Sequence, residues 1–281
     1  MKIAYLGPEG SYSHLAAQAF LKEENAGYGW NECVPFRNFA EVLNAVERDR
    51  VDGAAIPIEN RLQGGVSQNL DLLQEHADLF AVKEYVLRID HRLAYREGVA
   101  LSEIGRVYSH RQALNQCGEF LTSQMPFAAL RETESTAFGL TKASEDTSGK
   151  SAAIVGAHTE NLPKGFALSA ECIADEKNNF THFLLIQKGE ERLPKKSERI
   201  FFSVVGPHRP GGLLEILAVI YEHGVNMTKI ESRPVKDAPG DYRFFIEADC
   251  DVSSEKTRAL LNGIRQKSLE LKLLGAYLQG K

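Results

Sequence analysis

A change of rhythm near residue 190 constrains the fold of this 281-residue chain more than any other feature. Before it, short apolar runs alternate with amphipathic stretches. Lys2–Leu6, Val51–Ile58, Phe80–Ile89, Val107–His110, Ala152–Val155 and Phe183–Ile186 read as strands. Leu15–Phe20, Phe39–Arg48, Gln112–Leu121 and a segment from Thr133 through Ala137 and Leu140 read as helices. Such alternation predicts an α/β architecture with mainly parallel strands. Gly189–Glu198 then brings in charge and Pro194, the composition of a linker. Beyond it come a strand (Arg199–Gly206), a helix (Leu213–His223), two strands (Val225–Glu231, Asp241–Asp249), a helix (Ser253–Lys267) and a last strand (Leu269–Tyr277). That βαββαβ order in about 80 residues is the ferredoxin-like split βαβ unit.

Charge and cysteine usage exclude several function classes. Lys+Arg 33 against Asp+Glu 38 leaves a net charge of −5, which argues against nucleic acid or a membrane surface as partner. Any anion site must therefore be built locally. Cys33, Cys117, Cys172 and Cys250 show no C-x-x-C spacing and are expected as buried thiols of a reducing compartment, not as a disulfide frame or zinc site. The apolar run Ile3–Leu6 is too short for a signal h-region, and no stretch approaches the ~18 apolar residues of a membrane span, so a cytoplasmic location is expected.

Several polar loops interrupt this scaffold. Gly7-Pro8-Glu9-Gly10 follows the first strand, and Ser11 or Ser13 can cap the helix after it. Strand, glycine loop and helix N-terminus can hold an anion on free N–H groups, although a plain βα turn explains the same residues. The loop matches neither G-x-G-x-x-G nor a Walker sequence. Pro57-Ile58-Glu59-Asn60 closes a strand and Gln63-Gly64-Gly65-Val66 opens a helix with Leu70, Leu72 and Leu73. An acid and an amide at that place lie where open α/β sheets bind ligands. Ser109 is placed to cap the helix that follows it. Asn178-Asn179-Phe180-Thr181-His182 precedes a buried apolar run. It is either a capped turn or a pocket wall carrying one fixed hydroxyl, since buried polar groups need partners.

Taken in order, these stretches resemble one family. Gly7-Pro8-Glu9-Gly10-Ser11-Tyr12-Ser13, Pro57-Ile58-Glu59-Asn60, Ser109-His110-Arg111-Gln112-Ala113-Leu114, Ser135-Thr136-Ala137 and Asn179-Phe180-Thr181-His182-Phe183 are similar to the motifs of prephenate dehydratases. Pro210-Gly211-Gly212-Leu213-Leu214 and Glu231-Ser232-Arg233-Pro234 resemble the two regulatory motifs of the ACT domain such enzymes carry. His182 stands where the family usually has arginine. Gly212 stands where it has alanine, a change expected to loosen the regulatory helix start.

The resemblance implies a catalytic region of residues 1–190 in two lobes similar to periplasmic binding proteins, with the site in the cleft. Lobe 1 would be about 1–80 plus 180–190, and lobe 2 about 81–179. A linker, 191–198, and an ACT domain, 199–281, would follow. The implied reaction removes CO₂ and hydroxide from prephenate in L-phenylalanine biosynthesis. Aromatisation drives it, so no cofactor and no metal is expected. It further implies catalytic roles for Thr181, Glu59 and Phe183, with Thr181 contacting the leaving hydroxyl and Glu59 or His110 as the stronger acid. The bland alternatives are Glu59 capping the Gly64-Gly65 segment and His110 bonding a loop carbonyl. Substrate contacts would come from Ser11, Asn60, Ser109, His110, Gln112, Ser135, Thr136, Asn179, Phe180 and His182. Phe180 and Phe183 would be apolar walls. Gly211, Gly212, Leu213, Leu214, Glu231, Ser232, Arg233 and Pro234 would bind L-phenylalanine as feedback inhibitor in a homodimer or homotetramer. Arogenate dehydratase and a non-catalytic amino-acid-binding sensor are the alternative functions.

Overall fold

The structure is a computed structural model that describes residues 1–281 except 25–30, 63, 160, 237, 239 and 281. Gln63, expected at a helix start, therefore lies outside the described residues. The first elements are β1 (Lys2–Leu6), α1 (Tyr12–Glu24), β2 (Glu32–Phe36), α2 (Phe39–Glu47), β3 (Gly53–Asn60), β4 (Gly64–Gly65) and α3 (Ser67–Glu75). The middle holds β5 (Leu79–Arg88), β6 (His91–Arg96), β7 (Arg106–Ser109), α4 (Arg111–Asn115), α5 (Gly118–Gln124), β8 (Ala129–Glu132), α6 (Thr136–Glu145), β9 (Ser151–Gly156) and β10 (Phe166–Leu168). β11 (Phe180–Lys188), β12 (Arg199–Val205), α7 (Gly212–Glu222), β13 (Met227–Pro234), β14 (Tyr242–Asp249), α8 (Glu255–Lys267) and β15 (Glu270–Tyr277) complete the chain. Among the described residues no helix is long and apolar enough to cross a membrane.

The chain divides into two compact units. One contains Met1–Tyr5, Ala16–Val86 and His182–Lys281; the other contains Leu6–Leu15 and Leu87–Thr181. The divisions fall within β1, α1, β5 and β11. Leu6–Leu15, expected in the first lobe, groups with the middle of the chain.

The first unit is built on one sheet in the order β13-β14-β12-β15-β5-β11-β3-β1-β2, with β4 on β3. Its β13-β14-β12-β15 portion, with α7 and α8, is the expected βαββαβ unit. One face of that portion packs Ile200, Phe202, Val204 and Ile246 against Ile216, Ile220, Leu260 and Ile264. The opposite face sends Phe201, Phe245, Leu274 and Tyr277 into the core formed by α2, β3 and α3, among Val42, Leu43, Ile56, Leu70 and Leu73. Strand alternation allows both, because successive side chains leave opposite faces. Gly275 pairs with Ala81 of β5, and a Cβ there would lie 2.3 Å from the Ala81 carbonyl oxygen. The C-terminal domain therefore shares a core with the segment before it.

The second unit carries a five-stranded sheet, β10-β6-β9-β7-β8. β9 lies parallel to β7, and β7 to β8, but β6 runs antiparallel to β9 and β10. The expectation of mainly parallel strands is thus corrected here: β6 was missed because His91, Arg92 and Arg96 break its apolar pattern. Every residue of β9 is buried, with Ala152 and Ile154 on one core and Ala153 and Val155 on the other. The single helix expected over Gln112–Leu121 is two, α4 and α5. Gly118 is a poor interior helix residue, and the Asp175 carboxylate caps a new start by accepting from the Glu119 N–H at 3.1 Å. Cys117 and Cys250 are buried, but Cys33 and Cys172 are only half-buried.

Candidate active site

β11 runs through the polar stretch that stood out in the sequence. Its alternation puts Thr181 and Phe183 on one face and Phe180 and His182 on the other. Thr181 and Asn179 are buried, and the Asn179 carbonyl accepts from the Ile89 N–H at 2.8 Å, tying the start of β11 to the end of β5. Phe183 is fully enclosed, so its place is that of core, and the two rings do not flank one hydroxyl on a common wall.

His182 is held by an acid that the sequence did not reveal. Its Nδ1 lies 2.9 Å from Oε1 of Glu84 on β5, a carboxylate almost without exposure. The hydrogen bond to Glu84 raises the imidazole above its ordinary pKa against the opposing effect of burial, with Glu59 and Glu247 adding in the same direction. Burial pushes Glu84 up, but the bonds from His182 and the Gly280 N–H (2.8 Å), with the charge of Arg199, leave it below the ordinary carboxylate value. Arg199 of β12 sits 3.6 Å from Glu84 and 3.4 Å from Glu247, which also accepts from Tyr277 Oη at 2.6 Å. Burial, only partly offset by Tyr277 and Arg199, raises the Glu247 carboxyl. A buried polar chain thus runs from the β11 position beside Thr181 into the C-terminal domain. Glu84 thus favours the charged form of His182, the residue that stands where the resembling family has arginine.

In the second unit, Ser11 caps α1: its Oγ accepts from the His14 N–H at 3.2 Å and donates to the Leu6 carbonyl at 3.1 Å. Tyr12 Oη donates to the Asp90 carbonyl at 3.1 Å and stands edge-on to His158, whose Nε2 meets the Gly10 carbonyl at 3.1 Å. Burial raises the Tyr12 phenol and lowers His91, which bonds Gln116 at 2.8 Å. The expected cap after β7 is replaced by its neighbour. Ser109 is buried and donates to the Ile154 carbonyl at 2.7 Å, so the helix after β7 is capped by His110 Nδ1, which accepts from the Gln112 N–H at 3.3 Å. Among the described residues His110 bonds no loop carbonyl. Ser135 caps α6 through the Phe138 N–H at 3.1 Å, with Thr136 as its first residue. α4 and α6 both begin at the carboxyl ends of parallel neighbours, β7 and β8, where α/β sheets present ligand sites.

Glu59 and Asn60 end β3 and pair with Gly65 and Gly64 of β4. The segment expected to open a helix is thus an antiparallel bridge, and α3 starts at Ser67. Asn60 Oδ1 accepts from the Leu62 N–H at 3.1 Å. Glu59 accepts from Lys229 Nζ of β13 at 2.6 Å. Lys229, Glu231 and Arg233 share the inner face of β13. Glu231 accepts from Ser67 Oγ, and Arg233 grips Asp71 of α3 with both Nε (3.3 Å) and Nη2 (2.7 Å). Two residues expected to meet an effector are therefore engaged with α3 of their own chain. Ser232 and Pro234 face the other way, beside Phe244 and Tyr242 of β14. Those two rings help line a cavity of about 320 Å³ with Pro207, Arg209 and Leu213. Gly211 starts α7 at φ 84°. Gly212 is there for space: a Cβ would lie 2.2 Å from the Pro207 carbonyl, so it tightens the turn where loosening was expected. Leu214 is exposed.

A prephenate dehydratase family model matches residues 3–191, and an ACT domain model matches residues 200–266. The chain belongs to the prephenate dehydratase family. It is 35% identical over 282 residues to a bifunctional chorismate mutase/prephenate dehydratase of Aquifex aeolicus, covering 99% of this chain and 73% of that one. A crystal structure of prephenate dehydratase from Arthrobacter aurescens in complex with L-Phe aligns with TM-score 0.85 at 30% identity, covering 99% of this chain and 90% of that one. The structure of GqqA, described as a novel type of quorum-quenching acylase, aligns with TM-score 0.83 at 25% identity over 99% and 97% of the two chains. The fold alone therefore does not fix the chemistry. Membership in this lyase family favours an enzyme over the binding-sensor alternative.

Proposed function

We propose that this chain is a prephenate dehydratase acting in the cytoplasm, with residues 1–190 as catalytic region, 191–198 as linker and 199–281 as regulatory domain. The observation that carries this reading is the ordered set of motifs of the family, matched along the chain, with Thr181 buried on the strand that follows Asn179. In the reaction the ring carbon loses its carboxylate as CO₂. The electron pair of that bond enters the ring, the opposite C–O bond breaks, and the departing hydroxide takes a proton to become water. Phenylpyruvate remains.

Thr181 is placed to orient the leaving hydroxyl, and its weak acidity requires a stronger donor elsewhere. His182 points from the other face of β11, so it supplies charge and strand position, not a proton to Thr181. The start of α6, with Ser135 and Thr136, suits a substrate carboxylate through its backbone N–H groups. L-phenylalanine is the effector, a reading supported by the relative crystallised with L-Phe, and the regulatory domain takes it in a homodimer or homotetramer. Parallel rate measurements on prephenate and arogenate test the substrate. Faster phenylpyruvate formation from prephenate is expected. A preference for arogenate moves the chain to the sister activity, and binding without product supports the sensor.

A further inference from the structure

The regulatory strand β13 reaches the catalytic region through side chains of one face. Lys229 carries the most consequential of these contacts. Its side chain is nearly buried, its Nζ lies 2.6 Å from Glu59 Oε2, and the next acceptor is Glu231 Oε2 at 3.8 Å. One ammonium is thus placed between a carboxylate at the end of β3 and a carboxylate of the regulatory motif. Glu231 is itself tied to Ser67 at the head of α3, and Arg233 to Asp71 one turn further on. Lys229, Glu231 and Arg233 therefore clasp the whole excursion from Glu59 through β4 into α3.

We propose that Lys229 is a positioning residue for the dehydratase site: it holds the Glu59 carboxylate, and its sharing with Glu231 makes that hold responsive to an amino acid at the regulatory motif. This rests on the prephenate dehydratase reading. The clasp is specific in its chemistry. A buried ammonium without its anion is costly, so any change at Glu231 redistributes Lys229 between two carboxylates. The groups that face this cluster are Glu59 from β3, Asp71 from α3, Arg233 from β13, Glu247 from β14 and His182 from β11, which senses the charge of Glu59. Removing the Lys229 charge leaves Glu59 uncompensated and favours a protonated His182. The consequence reaches β11 through the charge of Glu59.

The test uses the full chain. Wild type, Lys229→Met, Lys229→Arg, Glu59→Gln and the Lys229→Met/Glu59→Gln pair are assayed for phenylpyruvate formation from prephenate across pH, with and without L-phenylalanine. Calorimetry follows L-phenylalanine binding separately. Lys229→Met is expected to lower kcat/KM about 10-fold, the scale of losing one charge-assisted bond. It should also weaken L-phenylalanine inhibition at least 10-fold while calorimetric binding persists, and shift the alkaline limb of the rate profile to higher pH. Lys229→Arg should recover most of each effect, and Lys229→Met should add nothing once Glu59 is Gln. Lys229→Gln gives the same readout if the Met variant does not fold. Wild-type kinetics, inhibition and pH profile in a folded Lys229→Met or Lys229→Gln chain overturn the proposal alone. A wild-type chain that makes no phenylpyruvate overturns the function on which it stands.

Discussion

Glu84→Gln is the sharpest perturbation of the buried network. The carboxylate accepts from His182 at 2.9 Å and from the Gly280 N–H at 2.8 Å, and it faces Arg199 at 3.6 Å. Removing one partner of a buried pair costs about 3–5 kcal/mol, because the other charge stays behind. Glutamine keeps one acceptor, and Arg199 retains Glu247 and Asp249, so the expected loss is nearer 2–3 kcal/mol. Unfolding entropy of roughly 2.1 cal/mol/K per residue over 281 residues gives about 0.6 kcal/mol/K, hence a Tm lower by roughly 3–5 °C. The pH dependence has a defined sign. His182 is raised above its ordinary 6.5, so its contribution is complete below that value and is lost as pH rises through the folded value. Glu84 is lowered, so its contribution is present above about 4.5 and is lost as pH falls through the folded value. Thermal melts of both chains from pH 4 to 9 should therefore show the widest gap between these limits, narrowing on each side. Melting curves that coincide within about 1 °C at every pH would refute the idea that this network holds the strand in place.

Thr181→Val should lower kcat by about 10²-fold or more with melting unchanged, the scale of one positioned proton-transfer contact; a folded variant at wild-type rate removes Thr181 from the mechanism. If protonated His182 supports turnover, kcat/KM falls as pH rises through its raised folded value, and His182→Arg, charged throughout, flattens that limb; an identical profile in the variant makes the position one of packing alone. Truncation after Lys195 removes Phe201, Phe245, Leu274 and Tyr277 from the first unit's core, so the shortened chain should fail to unfold cooperatively by calorimetry; a sharp transition with full activity would show that the shared core is dispensable.

The βαββαβ domain was legible to within about three residues at each boundary, because its strands are long, its helices amphipathic, and Ser254 caps α8. β6 and β8 were not, since charged residues on short, half-covered strands erase the period that marks them. Motif order located Thr181, Ser11 and Ser135, all of which have defined places on strands or caps. It gave no hint of Glu84 or Arg199, whose partners are distant in the chain and meet only through sheet pairing. Lys229 left one trace, its alternation with Glu231 and Arg233, which announces a polar inner face facing something charged. Three cationic and acidic residues on one side of a strand otherwise read as solvated surface.

The most direct test of the account is one time course. Wild-type chain is mixed with prephenate, with and without L-phenylalanine, and phenylpyruvate and released CO₂ are followed together. The account predicts equal amounts of both products without any added cofactor, at a rate that L-phenylalanine lowers. Prephenate that binds but stays intact, or turnover indifferent to L-phenylalanine, would contradict it.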